Sequence, residues 1–232
     1  GAARGHRSHS QLRERRRAAD LVFSPPIPQL EQMDWTGFSG KIFVGLQYVL
    51  LRRSFVGPVP DPGNTPPKIL VSMGASDPAG LVFKVIDALE ALPEEFQATI
   101  VVGRAFNQRQ SLAERMSRVR RSYDIRENVE DMAALMAAAD LAVASFGMTA
   151  YELAATGVPA VVICLTNDHA LSARTLGEAE SIINLGVHEH VRPGEIASAV
   201  RELLNNRPQR QEMRERTRKH RLAEGRRNLE AA

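Results

Sequence analysis

"LAVASFGMTAYELAATGVPAVVICL", residues 141 to 165, sets two apolar runs on either side of a segment that holds a glycine, hydroxyls and a carboxylate. The runs "LAVAS" and "PAVVICL" have no polar alternation, which marks strands buried on both faces of a sheet. Between them "TAYELAATG" has the composition of a helix closed by glycine. The same rhythm extends both ways from this stretch. Upstream run "KILVSM", "AGLVFKVIDALEAL", "ATIVVG", "QSLAERMSRV", "YDIREN" and "MAALMAAA"; downstream run "HALSARTLGEAE", "SIINLG" and "GEIASAVRELLNN". Apolar strands alternating with amphipathic helices predict a Rossmann-like, doubly wound α/β domain of about six parallel strands, beginning near Lys68.

The chain of 232 residues, 44% hydrophobic, is long enough for one large domain or two small ones. No apolar stretch approaches the roughly 20 residues that span a bilayer, and no signal-peptide core opens the chain, so a cytoplasmic location is the expectation. Cys164 is the single cysteine and lies inside "AVVICL", which reads as a buried structural thiol. Charge is uneven. Residues 1 to 18 hold six Arg against one Glu, and residues 207 to 232 hold nine Lys/Arg against four Glu, so residues 19 to 206 are net acidic although the whole chain carries +3. With aromatics at 5% and the basic residues at the ends, nucleic-acid binding by the body is not expected.

Four segments follow from these patterns. Residues 1 to 18 form a disordered basic arm. Residues 19 to 67 form a connector with the remnant of an amino-terminal domain: "ADLVFSP" and "KIFVGLQYVLL" are short extended segments, "SPPIPQLEQMDWTGFSG" is loop, and "VGPVPDPGNTPP" is a Pro/Gly-rich link. Residues 68 to 206 are the Rossmann-like domain. Residues 207 to 232 are a basic helix lying across the sheet or projecting from it, its charges read as a solvated face.

Ligands of open parallel sheets bind beyond the carboxyl ends of the strands, so the turns there carry the functional candidates. In "MGASDPAG", Gly74 ends a strand, and Asp77 with Pro78 has the form of an N-cap and first-turn proline. The same turn presents backbone amides able to hold a phosphate. Thr149 and Glu152 have capping-box spacing. They also stand beside Ser145 and Gly147, where a carboxylate one turn into the helix suits the vicinal hydroxyls of a ribose; spacing leaves both readings open. In "LTNDHALS", Asn167 or Asp168 caps a helix, or Asn167 meets a polar ligand. Arg104 reads as exposed. His188 and His190 lack a third metal ligand. Walker, nucleophile-elbow, HExxH and G-x-G-x-x-G motifs are missing, so neither a metal nor a nicotinamide cofactor is expected.

Taken together, "ILVSMGASDPAG", "NVEDMAALMAAADLAVASFGMTAYELAATGVPAVVICLTNDH" and "LGEAESIINLG" resemble the carboxyl-terminal domain of the UDP-sugar hydrolases of the pseudaminic acid pathway, relatives of the GT-B glycosyltransferases. "GLQYVLLRRSF" is similar to the stretch that precedes this domain. The resemblance implies a UDP-binding domain of nucleotide-sugar or surface-polysaccharide metabolism. Gly74, Ser76 and Asp77 would lie in the diphosphate-side loop, and Ser145, Gly147 and Thr149 would meet phosphate, with Met148 in the same set. Glu152 would accept the ribose hydroxyls, Asn167 would lie near diphosphate or sugar, and Asn128 to Met132, including Val129, would flank uracil. The family displaces UDP by water activated on a histidine of a separate amino-terminal domain, and this chain starts where that domain should end; His6 and His9 lack that histidine's setting. Ala75 replaces a usual glycine and Asp168 a usual glutamine. Two alternatives stand beside the hydrolase: a GT-B glycosyltransferase whose basic terminal helix meets an anionic membrane, and a non-catalytic nucleotide-sugar-binding module.

Overall fold

A computed structural model of the chain describes residues 19–55, 61–219 and 222–230. The basic arm, with His6 and His9, lies outside the described residues.

The expected sheet is present. Its strands are β3 (Lys68–Ser72), β4 (Gln97–Val102), β5 (Tyr123–Glu127), β6 (Leu141–Ser145), β7 (Ala160–Cys164) and β8 (Ile182–Val187), all parallel, in the order β5-β4-β3-β6-β7-β8. The chain runs outward from β3 to β5, then returns to the other side of β3 with β6. The strand order therefore reverses between β3 and β6, the place where such sheets leave a crevice at their carboxyl edge. Every residue of β6 and β7 is buried, as their unbroken apolar character requires. The residues of edge strand β5 are exposed apart from Tyr123, which is half-buried.

Helices cover both faces. On one side α1 (Leu81–Glu90) and α2 (Arg109–Met116) pack with α6 (Pro193–Asn205); Val85, Ile86 and Leu89 of α1 meet Val71, Ile100 and Val143 of the sheet. On the other side lie α3 (Met132–Ala137), α4 (Met148–Thr156) and α5 (Asn167–Glu178), whose Met136, Leu153 and Leu176 pack over Ala142, Val162 and Cys164. Each such side chain removed from water contributes roughly 1.5–3 kcal/mol. Gly157, in the left-handed conformation at φ 74°, closes α4 and turns the chain into β7. Cys164 is fully buried, which pushes its thiol up to about 12, and it reads as the structural residue expected.

Upstream, β1 (Leu21–Ser24) and β2 (Lys41–Val44) pair in parallel as a separate two-stranded sheet, with Phe23 stacked on Phe43 at 4.9 Å. The link into β3 is stitched by Asp140, whose buried carboxylate accepts from Asn64 N at 3.1 Å, Asn64 Nδ2 at 2.8 Å and Lys68 N at 2.7 Å.

The terminal segment keeps an exposed charged face, with Arg207, Glu212, Glu215 and Lys219 exposed, but also buries two of its arginines. It folds as α7 (Arg207–Lys219), a 3-10 turn at Leu222–Glu224 and α8 (Gly225–Glu230). Arg210, Met213, Arg214 and Thr217 of α7 are buried. Arg214 Nη2 donates to the carbonyls of Ala139 at 3.0 Å and Asp140 at 3.3 Å, so the guanidinium satisfies backbone acceptors ahead of β6 rather than facing water.

Candidate functional site at the carboxyl edge

Three helices begin around the switch point, after β3, β6 and β7, and their first turns differ. The helix after β3 starts at Leu81 rather than at Pro78, because Asp77 adopts φ 41° and Gly80, left-handed at φ 61°, is the residue that enters the helix. Asp77 nevertheless bonds the helix start: Oδ1 accepts from Leu81 N at 2.8 Å and Oδ2 from Val82 N at 2.9 Å. The carboxylate is only 3% exposed. Burial raises its pKa, and the Val82 and Leu81 amide bonds oppose that rise. It occupies the helix amides that an anion would otherwise use.

The helix after β6 starts at Met148, with Gly147 as N-cap and no side chain capping it. The capping box of Thr149 and Glu152 is therefore not formed: Thr149 lies inside the first turn, too far along to act as cap. A Cβ built on Gly147 would meet nothing within 4 Å, and Met148 is 52% exposed, so the helix start opens onto free space. The helix after β7 begins at Asn167, and its cap is Thr166, whose hydroxyl accepts from His169 N at 3.1 Å, not Asn167 or Asp168. Asn167 stands exposed in that first turn.

These turns converge. Strands β3 and β6 are paired, with Ser72 opposite Ala144, and β6 pairs β7, with Ser145 opposite Ile163. Gly74 is left-handed at φ 79°, and a Cβ on it would stand 3.5 Å from Ser145 Oγ. Ala75 and Ser76 are exposed beside it. The loop after β4 supports this turn from behind: Ala105 N donates to the Ala75 carbonyl at 3.0 Å, and a Cβ on Gly103 would strike that carbonyl oxygen at 2.3 Å, so only glycine fits there. Arg104 is exposed and outside the cluster of turns.

Glu152 lies one turn beyond Met148, and only 9% of it is exposed. Arg52 donates to its Oε1 from Nε at 3.3 Å and from Nη2 at 3.0 Å. Burial pushes the Glu152 carboxyl above its ordinary range, and Arg52 pulls it back. Arg52 is itself held by the ring of Phe55, 5.2 Å from its guanidinium carbon. Sequence reasoning missed Arg52. Its signal is a bare Arg-Arg-Ser-Phe without periodicity, and its partner is 100 residues away.

Val129 and Met132 stand apart from the other expected residues. They follow β5, two strands from β3; Met132 packs against the core on the α3–α4 side. Val129 lines a cleft of about 920 Å³ between α3 and the strands β3, β4 and β5, together with Lys68, Gln97, Thr99, Asp124 and Ala134. That cleft sits at the amino ends of β3 and β4, away from the helix starts. Among the described residues no group of three metal-binding side chains occurs, and no helix is long and apolar enough to cross a membrane.

Comparison with known proteins agrees with this architecture. The spore coat polysaccharide biosynthesis protein SpsG of Bacillus subtilis (strain 168) is 31% identical over 157 residues, covering 65% of this chain and 45% of SpsG, so the chain spans less than half the length of that relative. Among solved structures, Anabaena HepE in complex with UDP-glucose superposes with a TM-score of 0.64 at 17% identity, over 92% of this chain and 64% of HepE. Acinetobacter baumannii MurG gives 0.63 at 22% identity, over 88% of this chain and 57% of MurG. Both likenesses lie under 25% identity and show the fold alone, the Rossmann-like carboxyl-terminal domain of the GT-B glycosyltransferases. Residues 68–229, well over half the chain, match the family described as Glycosyltransferase family 28 C-terminal domain, and the chain belongs to that family.

Proposed function

We propose that this chain is the donor-binding part of a GT-B enzyme of polysaccharide biosynthesis, holding the UDP portion of a UDP-sugar at the carboxyl edge of β3, β6 and β7. The observation that carries the reading is the uncapped start of α4, set against Gly74 and Ser145, with a buried carboxylate one turn in. An open helix start supplies amides and partial positive charge for phosphate without basic side chains. The UDP-glucose bound in HepE is in keeping with it.

In this reading residues 68 to 206 form the UDP domain and residues 19 to 67 lead from an amino-terminal domain that brings the acceptor and the general base. Ser145, Gly147, Met148 and Thr149 meet the diphosphate, with Gly74 and Ser76 beside it, Glu152 takes ribose hydroxyls and Asn167 lies toward the sugar. Asp77 acts from behind by building the loop; Val129 and Met132, which stand apart beyond β5, are set beside uracil by the family resemblance alone. The acceptor oxygen, losing its proton to the general base, bonds to the sugar anomeric carbon as the bond to the diphosphate breaks, and the fixed amides stabilise the leaving anion.

The family match and the polysaccharide relative support transfer to an acceptor better than the hydrolysis that the pseudaminic-acid resemblance implies. UDP release that rises with added acceptor fits the transferase; release at an unchanged rate, with free sugar, fits the hydrolase. A cytoplasmic enzyme fits a nucleotide-sugar donor, and the exposed end of α7, including Lys219, is the part suited to an anionic membrane surface.

Calorimetry tests the site. UDP is expected to bind, and Glu152→Ala to weaken it at least about tenfold, as loss of hydrogen bonds to a charged acceptor does, with the melting temperature little changed. Absence of binding by the unmutated chain at millimolar UDP overturns the reading.

A further inference from the structure

Resting on the UDP reading of this site, we propose that Arg52 is a positioning residue for nucleotide recognition: it anchors Oε1 of Glu152 from the segment ahead of the sheet domain and leaves Oε2 as the acceptor for a ribose hydroxyl.

The geometry is asymmetric. Both Arg52 donors converge on Oε1, at 3.3 and 3.0 Å, which fills the acceptor capacity of that oxygen. No bond from the described residues is made to Oε2. Arg52 is held in turn: its guanidinium stacks on Phe55, itself 2% exposed, and Phe55 N donates to the Arg52 carbonyl at 3.0 Å. The ion pair does little for stability, because the Arg52 side chain is 58% exposed and screened by solvent. Its effect falls on the rotamer and charge of the carboxylate.

Among the described residues, Arg52 is the charged group that acts on Glu152. Helix α3 brings only apolar side chains. From α7, Arg210 bonds the Leu203 and Leu204 carbonyls and Arg214 those of Ala139 and Asp140. Asp140 is bonded to Asn64 and Lys68, and Glu224 stands on the 3-10 turn packed against α4. Removing Arg52 therefore leaves burial unopposed, and the Glu152 carboxyl then takes up its proton at a higher pH than in the parent chain. A protonated carboxyl is a poorer acceptor for two hydroxyls.

The test compares UDP with 2′,3′-dideoxy-UDP by calorimetry between pH 5.5 and 8, a span of about one proton-transfer range around neutrality, for the parent chain, Arg52→Ala, Arg52→Lys and Glu152→Gln. Expected is a preference of the parent for UDP that Arg52→Ala cuts about tenfold. Affinity for the dideoxy analogue stays unchanged, the deficit deepens as pH falls, and lysine restores part of it. Discrimination lost in Glu152→Gln but intact in Arg52→Ala overturns the role of Arg52 and leaves the site standing. Discrimination intact in both variants, or absent from the parent, overturns the ribose role of Glu152 and this proposal with it. Tighter UDP binding by Arg52→Ala shows a competitor in place of a positioning residue, and also overturns it.

Discussion

Helices α1 and α4 start side by side at one edge of one sheet, yet their first amides face different partners. At α1 the partner is internal: Asp77 engages Leu81 N and Val82 N from a buried position. At α4 no side chain caps the start, whose Ala150 N donates to the Gly147 carbonyl at 3.0 Å, and a Cβ on Gly147 would meet nothing within 4 Å. A folded chain that needs only stability has reason to cap both, since a cap contributes about 1 kcal/mol and an unpaired helix start gives that up. The difference separates a helix start closed by its own side chain from one left open beside Gly147.

Three substitutions press on this contrast. Asp77→Ala removes two bonds to buried amides and is expected to cost about 3 kcal/mol, read from the denaturant midpoint, with UDP affinity changed less than about threefold. A collapse of affinity at full stability inverts the assignment of the two helix starts. Gly147→Val places a side chain in the open space without backbone strain, because φ 160° and ψ −158° are extended. Its expected effect is a loss of about 1.5 kcal/mol in UDP binding, more than tenfold, at an unchanged melting temperature. Undiminished affinity would remove the ligand from α4. The smallest effect belongs to the third helix start, where Thr166→Ala costs about 1 kcal/mol of stability and leaves UDP binding alone. A larger loss in binding than in stability would bring α5 into the ligand shelf.

The strand and helix order was legible because β6 and β7 are buried on both faces and so appear as unbroken apolar runs, while Lys68 and Gly157 mark a strand start and a helix end by chemistry that acts within a few residues. The caps were not. Spacing rules place Asp77 at a helix boundary but carry no information on its positive φ, which inserts Pro78, Ala79 and Gly80 before the helix. Likewise the interval from Thr149 to Glu152 fits a capping box, and nothing local reveals that the carboxylate points toward Arg52. The two buried arginines of α7 could not be told apart from its exposed charges for a related reason: charge counted along a helix does not show which carbonyls, here those of Ala139 and Asp140, wait across from it.

Asp140 has a mechanical consequence. It ties the incoming chain at Asn64 and Lys68 to the residue just ahead of β6, a fully buried strand whose far end, Ser145, lies about 13 Å beyond Leu141. Load applied at Asn64 or Lys68 is thereby passed to β6, the buried strand that ends at Ser145 beside Gly74.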